Sequence, residues 1–375
     1  MRAIFVPIAG SSIGFYLPLA VVPLFAQAHG SSASAGLATG AFLLATVLFE
    51  LVTPRIVAIC GYRWTLAGGL LLLGAPALTF LEFSATPVLV GVGIVRGAGF
   101  AIAVVAGGAL AAALLPADRR GRGLAATGVV SGVSALAAMP LGMWMAGRWG
   151  FGPVFVLTAA VPLATMAAVP FLPRVDVPRA AGRRAARPSW PLLRPAVIFA
   201  TCTSAAGVLV TFLPMALDRS LAWVAPVALF VQPAVTTAAR WIAGRLGDRR
   251  GQASLLVPGV VLSAAGMAAL AATGSAAIVL LGSAAFGAGF GILQNATLAM
   301  MYARAPRAAY SGVSALWNAA YDLGMALGAI GVGVLVSSTG FAAAFLIAAA
   351  GMLPALFLAR RESAEPELDL CPAHA

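Results

Sequence analysis

The sequence predicts an all-α polytopic membrane protein, with twelve transmembrane helices in two six-helix bundles related by an internal repeat. Three observations predict it. Of 375 residues, 61% are hydrophobic and only 9% are charged, too little charge to cover the surface of a water-soluble domain. Apolar stretches such as 253–272 recur along the chain; at about 1.5 Å per residue each can cross a hydrocarbon layer of roughly 30 Å. The chain also repeats itself at an offset of 190 residues. Gly97-Ala98-Gly99-Phe100 returns as Gly287-Ala288-Gly289-Phe290, Pro116 as Pro306, and Arg55 and Gly61 as Arg245 and Gly251. Gly150, Phe151, Phe155, Ala159 and Ala160 return as Gly340, Phe341, Phe345, Ala349 and Ala350.

The spans follow from apolar runs and the breakers between them. Span 1 (about 3–27) ends before His29-Gly30; spans 2 (33–57) and 3 (63–82) flank Gly61. Span 4 (86–115) is stopped by Pro116, and span 5 (122–147) lies between the arginines at 119–122 and Arg148. Span 6 (151–172) lies between Gly150 and Pro173. Span 7 (193–217) ends at Asp218, span 8 (221–246) at a glycine- and arginine-rich turn, and span 9 (252–273) at Gly274. Span 10 (275–303) ends at Arg304, and spans 11 (309–336) and 12 (341–359) flank Gly340. Residues 1–172 form the first bundle and 193–359 the second. Between them, 173–192 reads as a linker with four prolines and Arg174, Arg179, Arg183, Arg184 and Arg187. Residues 360–375 read as an acidic cytoplasmic tail that starts its charge run at Glu362.

All 23 basic residues are arginine, and the net charge is +12. With both termini on the cytoplasmic side, 19 arginines lie inside, Arg148 and Arg219 lie outside, and Arg96 and Arg240 fall within spans. The positive charge is therefore an orientation signal for a cell-membrane protein, and nucleic-acid binding is not needed to explain it. The first apolar run is too long for a secretory leader core and reads as span 1. Cys60, Cys202 and Cys371 form no motif, and no structural disulfide is expected. There is no catalytic constellation, metal-ligand cluster or phosphate loop. His29 and His374 lie at opposite ends of the chain. The expectation is a non-enzyme without a cofactor or an obligate protein partner, working as a monomer in the bilayer.

A duplication of this size in so apolar a chain points to a transporter built from two bundles around a central site. The strongest local pattern is Gly244-Arg245-Leu246-Gly247-Asp248-Arg249-Arg250-Gly251. It reads as a tight inner turn whose aspartate can accept hydrogen bonds from the positive end of a facing helix. Its arginines can bond to acidic groups or carbonyls. The bland alternative is a basic loop.

This run resembles the Gly-x-Leu-x-Asp-Arg-x-Gly signature of the major facilitator superfamily. Arg96-Gly97-Ala98-Gly99-Phe100 resembles that family's span-4 arginine-glycine motif, and Pro116 to Arg122 its following loop. Ala138-Met139-Pro140-Leu141-Gly142 is similar to a degenerate span-5 motif of its drug:proton antiporter and small-molecule exporter branch. The resemblance covers the whole chain and implies alternating access, usually coupled to protons. It implies a cytoplasmic gate role for Gly244, Arg245, Asp248, Arg249 and Gly251. The equivalent loop of the first half departs from the signature: Ala58 stands where the second half has Asp248.

Positions charged in only one copy are not required by the shared scaffold. Four stand out: Arg96 opposite Phe286, Asp322 opposite Gly132, Asp248 opposite Ala58, and Glu50 opposite Arg240. Asp322 sits near the middle of span 11, where a carboxylate must find a cation or hold a proton. It is the first proton-coupling candidate, with Glu50 the second; a polar lock between helices is the structural alternative. Arg96 lies deep in span 4 and must pair or face a wet cavity. Its options are a bound anion, Asp322 or a helix-end carbonyl. Asn318 shares the face of Asp322, and Trp317 and Tyr321 can form an aromatic wall. Gln294, Asn295, Gln232 and Tyr16 complete the candidates for a substrate cavity. Arg240 is expected at the gate. Glu82 and Asp218 are expected as solvated span ends.

These readings converge on a secondary active transporter that couples protons to export of a small organic or amphipathic compound. The rival readings are proton-coupled uptake of a small anionic metabolite held by Arg96, and a non-transporting lipid-handling or sensory membrane protein.

Overall fold

The computed structural model describes residues 2–29, 32–116, 119–175, 189–221 and 223–364, and every regular element among them is helical. The chain opens with α1 (Phe5–Leu19), α2 (Val21–His29), α3 (Ser32–Gly74), α4 (Thr86–Leu114) and α5 (Arg120–Trp149). They are followed by α6 (Phe151–Met166), α7 (Trp190–Ala216), α8 (Val224–Arg250) and α9 (Leu256–Ala269). The last three are α10 (Ala276–Ala303), α11 (Tyr310–Ala350) and α12 (Leu353–Ala364). Eight helical runs among the described residues are long and apolar enough to cross a membrane individually. Spans 2 and 3 are the two legs of α3, which breaks at Gly61, and α11 breaks likewise at Gly340. Span 3 finishes as a 3-10 segment, Ala75–Leu81.

Most of the linker expected at 173–192 lies outside the described residues, but its last residues do not: α7 already begins at Trp190. The tail expected from residue 360 also starts later. Helix α12 runs to Ala364, and Glu362 within it is 1% exposed. The residues beyond 364, with Cys371 and His374, lie outside the described residues.

The chain reversals explain part of the repeat. Positive φ values occur at Gly61 (74°), Gly150 (83°), Gly251 (82°) and Gly340 (79°). These are two pairs, each separated by the repeat offset. With ψ of 165° at Gly61 and 168° at Gly340, the backbone occupies a region essentially closed to residues with a Cβ. One helix can then end and the next begin without an intervening loop.

The described helices form two compact units. The first comprises Met1–Leu114, Val130–Ala186 and Ala308–Ala315; the second comprises Leu115–Val129, Arg187–Arg307 and Leu316–Ala375. Within the first, α4 crosses the first leg of α3 at Gly97, where a methyl group would sit 2.2 Å from the Phe42 carbonyl oxygen. Thr46 Oγ1 lies 2.9 Å from Phe42 O and 3.3 Å from Gly97 O, so one hydroxyl proton is shared between the two helices. The second unit makes the same crossing between α8 and α10. A methyl on Gly287 would sit 2.4 Å from Gln232 O, and Thr236 Oγ1 lies 2.8 Å from Gln232 O and 2.9 Å from Gly287 O. Lipid offers no hydrophobic drive between helices, so such close approach and interhelical hydrogen bonding hold them together.

Gly61, Gly150 and Gly340 each have open space where a Cβ would be placed, so substitution there isolates backbone strain. Gly150→Ala and Gly340→Ala are expected to destabilise the protein by about 1–3 kcal/mol each, read as a lower melting temperature in detergent. Asn should rescue neither, because its tolerance is for left-handed helical ψ and not for these extended values.

Candidate functional site

The sequence candidates fall into three groups. In the first unit, Arg96 is 3% exposed in α4. Its Nε donates to Leu73 O at 3.0 Å and its Nη2 to Gly14 O at 2.8 Å. Both acceptors are carbonyls that proline has freed. Pro18 has no N–H to return to Gly14 four residues earlier, and Pro76 has none to return to Leu73 in the 3-10 register that starts at Ala75. A charge-assisted bond to each satisfies backbone that lipid cannot hydrate. The guanidinium also lies 5.8 Å from the Phe42 ring centroid.

Arg96 forms part of the lining of a small apolar cleft that also touches Phe15, Val22, Phe42, Phe80 and Gly93. Phe15 stacks on Phe100 at 4.2 Å and meets Tyr16 edge-on at 4.7 Å. Glu50, in the first leg of α3, is 2% exposed.

In the second unit, α7, α10 and α11 build an aromatic cluster. Trp317 stacks on Phe199 at 4.4 Å, and its indole Nε1 donates to Thr297 Oγ1 at 3.1 Å. Tyr321 lies 6.3 Å from Trp317, 5.9 Å from Phe199 and 6.1 Å from Phe290. Asn318, Tyr321 and Asp322 are half-buried along the same helix. One turn further, Gly324 and Gly328 bring α11 against α7, where methyl groups would sit 1.9 Å from Thr203 Oγ1 and Ser204 O. Gln294 and Asn295 are buried, at 6% and 1% exposure. Gln294 Oε1 accepts from Arg240 Nη1 at 2.8 Å, and a methyl on Gly128 would sit 2.2 Å from the Arg240 guanidinium carbon. Gln232 is spent locally: its Nε2 donates to Thr236 Oγ1 at 3.0 Å beside the Gly287 crossing.

The third group lies in the last turns of α8, where the sequence predicts a turn but the helix continues to Arg250. Asp248 is 5% exposed at its side chain. Its Oδ1 accepts from Gly121 N at 2.8 Å and its Oδ2 from Arg122 N at 2.9 Å, so it closes the first turn of α5 against the positive end of that helix. Gly121 and Gly244 allow the approach; a methyl on Gly244 would sit 2.4 Å from Ala125 Cβ. Arg122 Nε lies 3.6 Å from Oδ2, but its side chain is 49% exposed. Arg245 stacks on Trp241 at 4.6 Å, and Arg249 is exposed. In the first unit Ala58 stands at the corresponding position, and Tyr62 and Tyr310 are buried.

Two features were missed in the sequence. Thr46 and Thr236 are separated by the repeat offset, and that recurrence was a usable signal. Glu362 is held by Arg304 and, at 3.6 Å, by Arg194. The repeat counterparts of this trio are Ile4, Leu114 and Leu172, so comparing the copies would have marked it.

Helical hairpins of this length, with charged groups folded inward, define an integral membrane transporter. A family model described as Major Facilitator Superfamily matches residues 4–235 and 197–370, and the chain belongs to that superfamily. It is therefore a multi-pass secondary transporter working by alternating access. Among curated proteins, no sequence matches the chain. Solved structures share its fold at low identity. The proton:xylose symporter XylE is 14% identical with TM-score 0.75, over 96% of this chain and 94% of that one. The E. coli fucose:proton symporter FucP is 14% identical with TM-score 0.77, over 96% and 98%. The human organic anion transporter MFSD10 is 16% identical with TM-score 0.76, over 96% and 98%.

The Asp248 geometry separates two effects. Asp248→Ala leaves two helix-end amides without their acceptor, each worth about 1–3 kcal/mol when buried. Arg122→Ala removes only an exposed ion pair worth about 0–1 kcal/mol. Asp248→Ala is expected to lower the melting temperature and slow transport at least tenfold, Asp248→Asn to do so less, and Arg122→Ala to change either little.

Proposed function

We propose that this transporter couples protons to the export of a small organic or amphipathic compound, with Asp322 as the main proton site and Glu50 as the second. One observation supports the assignment. Six carboxylates lie among the described residues. Glu82 and Asp218 are exposed, Asp248 closes the first turn of α5, and Glu362 is held by two arginines. Glu50 and Asp322 remain inside helices read as membrane-crossing, 2% exposed and half-buried respectively. A carboxylate at such depth is costly while charged, so proton uptake and release there bias the conformation.

Asp322 neighbours the Trp317–Tyr321 wall, which supports reading a proton site beside a surface fit for an apolar ring. Arg240 with Gln294 and the Asp248 turn serve the cytoplasmic gate in this reading. The arginine distribution favours cytoplasmic termini in the cell membrane. The export direction rests on the span-5 likeness.

The test begins with a compound-accumulation screen in cells with and without the protein. Compounds depleted by the protein should return to control levels when a protonophore is added. In proteoliposomes, Asp322→Asn should reduce gradient-driven flux of such a compound at least tenfold while leaving gradient-free exchange intact. Unchanged driven flux in Asp322→Asn would remove it as the coupling site. Compounds accumulated instead of depleted would reverse the direction.

A further inference from the structure

Where α7 begins and α10 and α12 end, the second unit carries charge that the first copy of the fold does without. Arg194, Arg304, Arg360 and Arg361 gather there around a buried carboxylate, Glu362. Glu362 is held by Arg304 and, at 3.6 Å, by Arg194. Arg304 Nη1 also donates to Pro191 O at 2.9 Å. One carboxylate offsets one cation, so these five residues keep an excess of three positive charges. The repeat counterparts of the four arginines are Ile4, Leu114, Pro170 and Phe171, so the shared scaffold does not require them.

Two of the arginines lie on exposed rings. The Arg194 guanidinium is 5.8 Å from the centroid of Trp190, which is 56% exposed. That of Arg361 is 4.4 Å from the centroid of Phe357, which is 57% exposed. Ser363 Oγ donates to Ala253 O at 2.8 Å, which turns that face of α12 toward the start of α9. Arg361 precedes Ser363 by two positions, about 200° around the helix. It therefore lies on the side of α12 away from α9, where Glu362 meets Arg194 of α7. Both helices belong to runs apolar enough to cross a membrane. Rings with guanidinium groups over them, at the ends of two such neighbours, make an apolar floor with a cationic rim.

We propose that this seam between α7 and α12 binds an anionic phospholipid. Its phosphate meets Arg361 and Arg194, and its glycerol and upper acyl chains lie against Trp190 and Phe357. The uncompensated guanidinium charge selects an anionic headgroup over a zwitterionic one. The exposed rings select the source, because a free phosphate has no apolar body to lay on them, whereas a lipid brings the anion and the hydrocarbon together. The proposal stands apart from proton coupling and export direction.

Native mass spectrometry of the full chain in detergent measures the affinity for the first lipid retained. The probe is dioleoylphosphatidylglycerol, and dioleoylphosphatidylcholine is the zwitterionic reference with the same chains. Arg194 and Arg304 hold Glu362, so their removal can disturb folding. Arg361→Gln is the principal variant because its side chain is exposed. Arg148→Gln, an exposed arginine beside exposed Trp149 at the far end of α5, is the charge-matched control. The unmodified chain and Arg148→Gln should both retain phosphatidylglycerol at least tenfold more tightly than phosphatidylcholine. Arg361→Gln should lose about fivefold of that preference with an unchanged melting temperature. Millimolar inorganic phosphate, at constant ionic strength, should not displace the lipid. Equal retention of the two lipids would overturn the proposal and leave the patch to the chain's own Glu365, Glu367 and Asp369. An undiminished preference in Arg361→Gln, or the same loss in Arg148→Gln, would overturn the location. Displacement by phosphate would overturn the lipid as the occupant.

Discussion

Each unit hangs on one helix crossing another at a single glycine. Gly97 in α4 and Gly287 in α10 admit a neighbouring carbonyl oxygen to within 2.2 Å and 2.4 Å of where a methyl would be. A threonine hydroxyl then bridges the crossing, Thr46 in one unit and Thr236 in the other. In hydrocarbon, close contact and hydrogen bonding replace the hydrophobic drive that packs soluble helices. Once these central helices are fixed, the rest of each unit has a frame to pack against, including the aromatic cluster that joins α7, α10 and α11.

The second constraint is that buried backbone must find partners. Prolines kink α1 and the end of α3, and the freed carbonyls are met by Arg96 instead of water. At the N-terminal end of α5, the orphan amides are met by Asp248. In both places a charged side chain serves main-chain groups first. That is why burial alone does not identify a substrate contact: Arg96 and Asp248 are as buried as core residues, yet each is anchored to backbone.

Much of this was legible in the sequence. The repeat located the glycines of the chain reversals, and the same pairs, Gly61 with Gly251 and Gly150 with Gly340, carry the positive φ values. The aspartate in the last turns of α8 could be read as an acceptor at a helix end because its type and spacing allow little else. Comparing the copies marks Arg194, Arg304 and Glu362 as unshared charges, but their pairing was not legible, because they come from α7, α10 and α12. Only the fold brings Arg194, Arg304 and Glu362 together. Proximity to a chain end made Glu362 look like a tail residue, although a helix continues through it.

The sequence by itself determined the class of protein, the number of spans and the places where the two copies differ in charge. It could do so because hydropathy and glycine placement are local constraints, written residue by residue. Only the tertiary structure decided what each charge does. Arg96 had three possible partners in the sequence, and the fold chose the carbonyls released by Pro18 and Pro76. Asp248 needed a facing helix, and packing at Gly121 and Gly244 supplied α5. Whether a buried charge is anchored or available depends on partners that lie tens of residues away along the chain, and only packing brings them within hydrogen-bond reach.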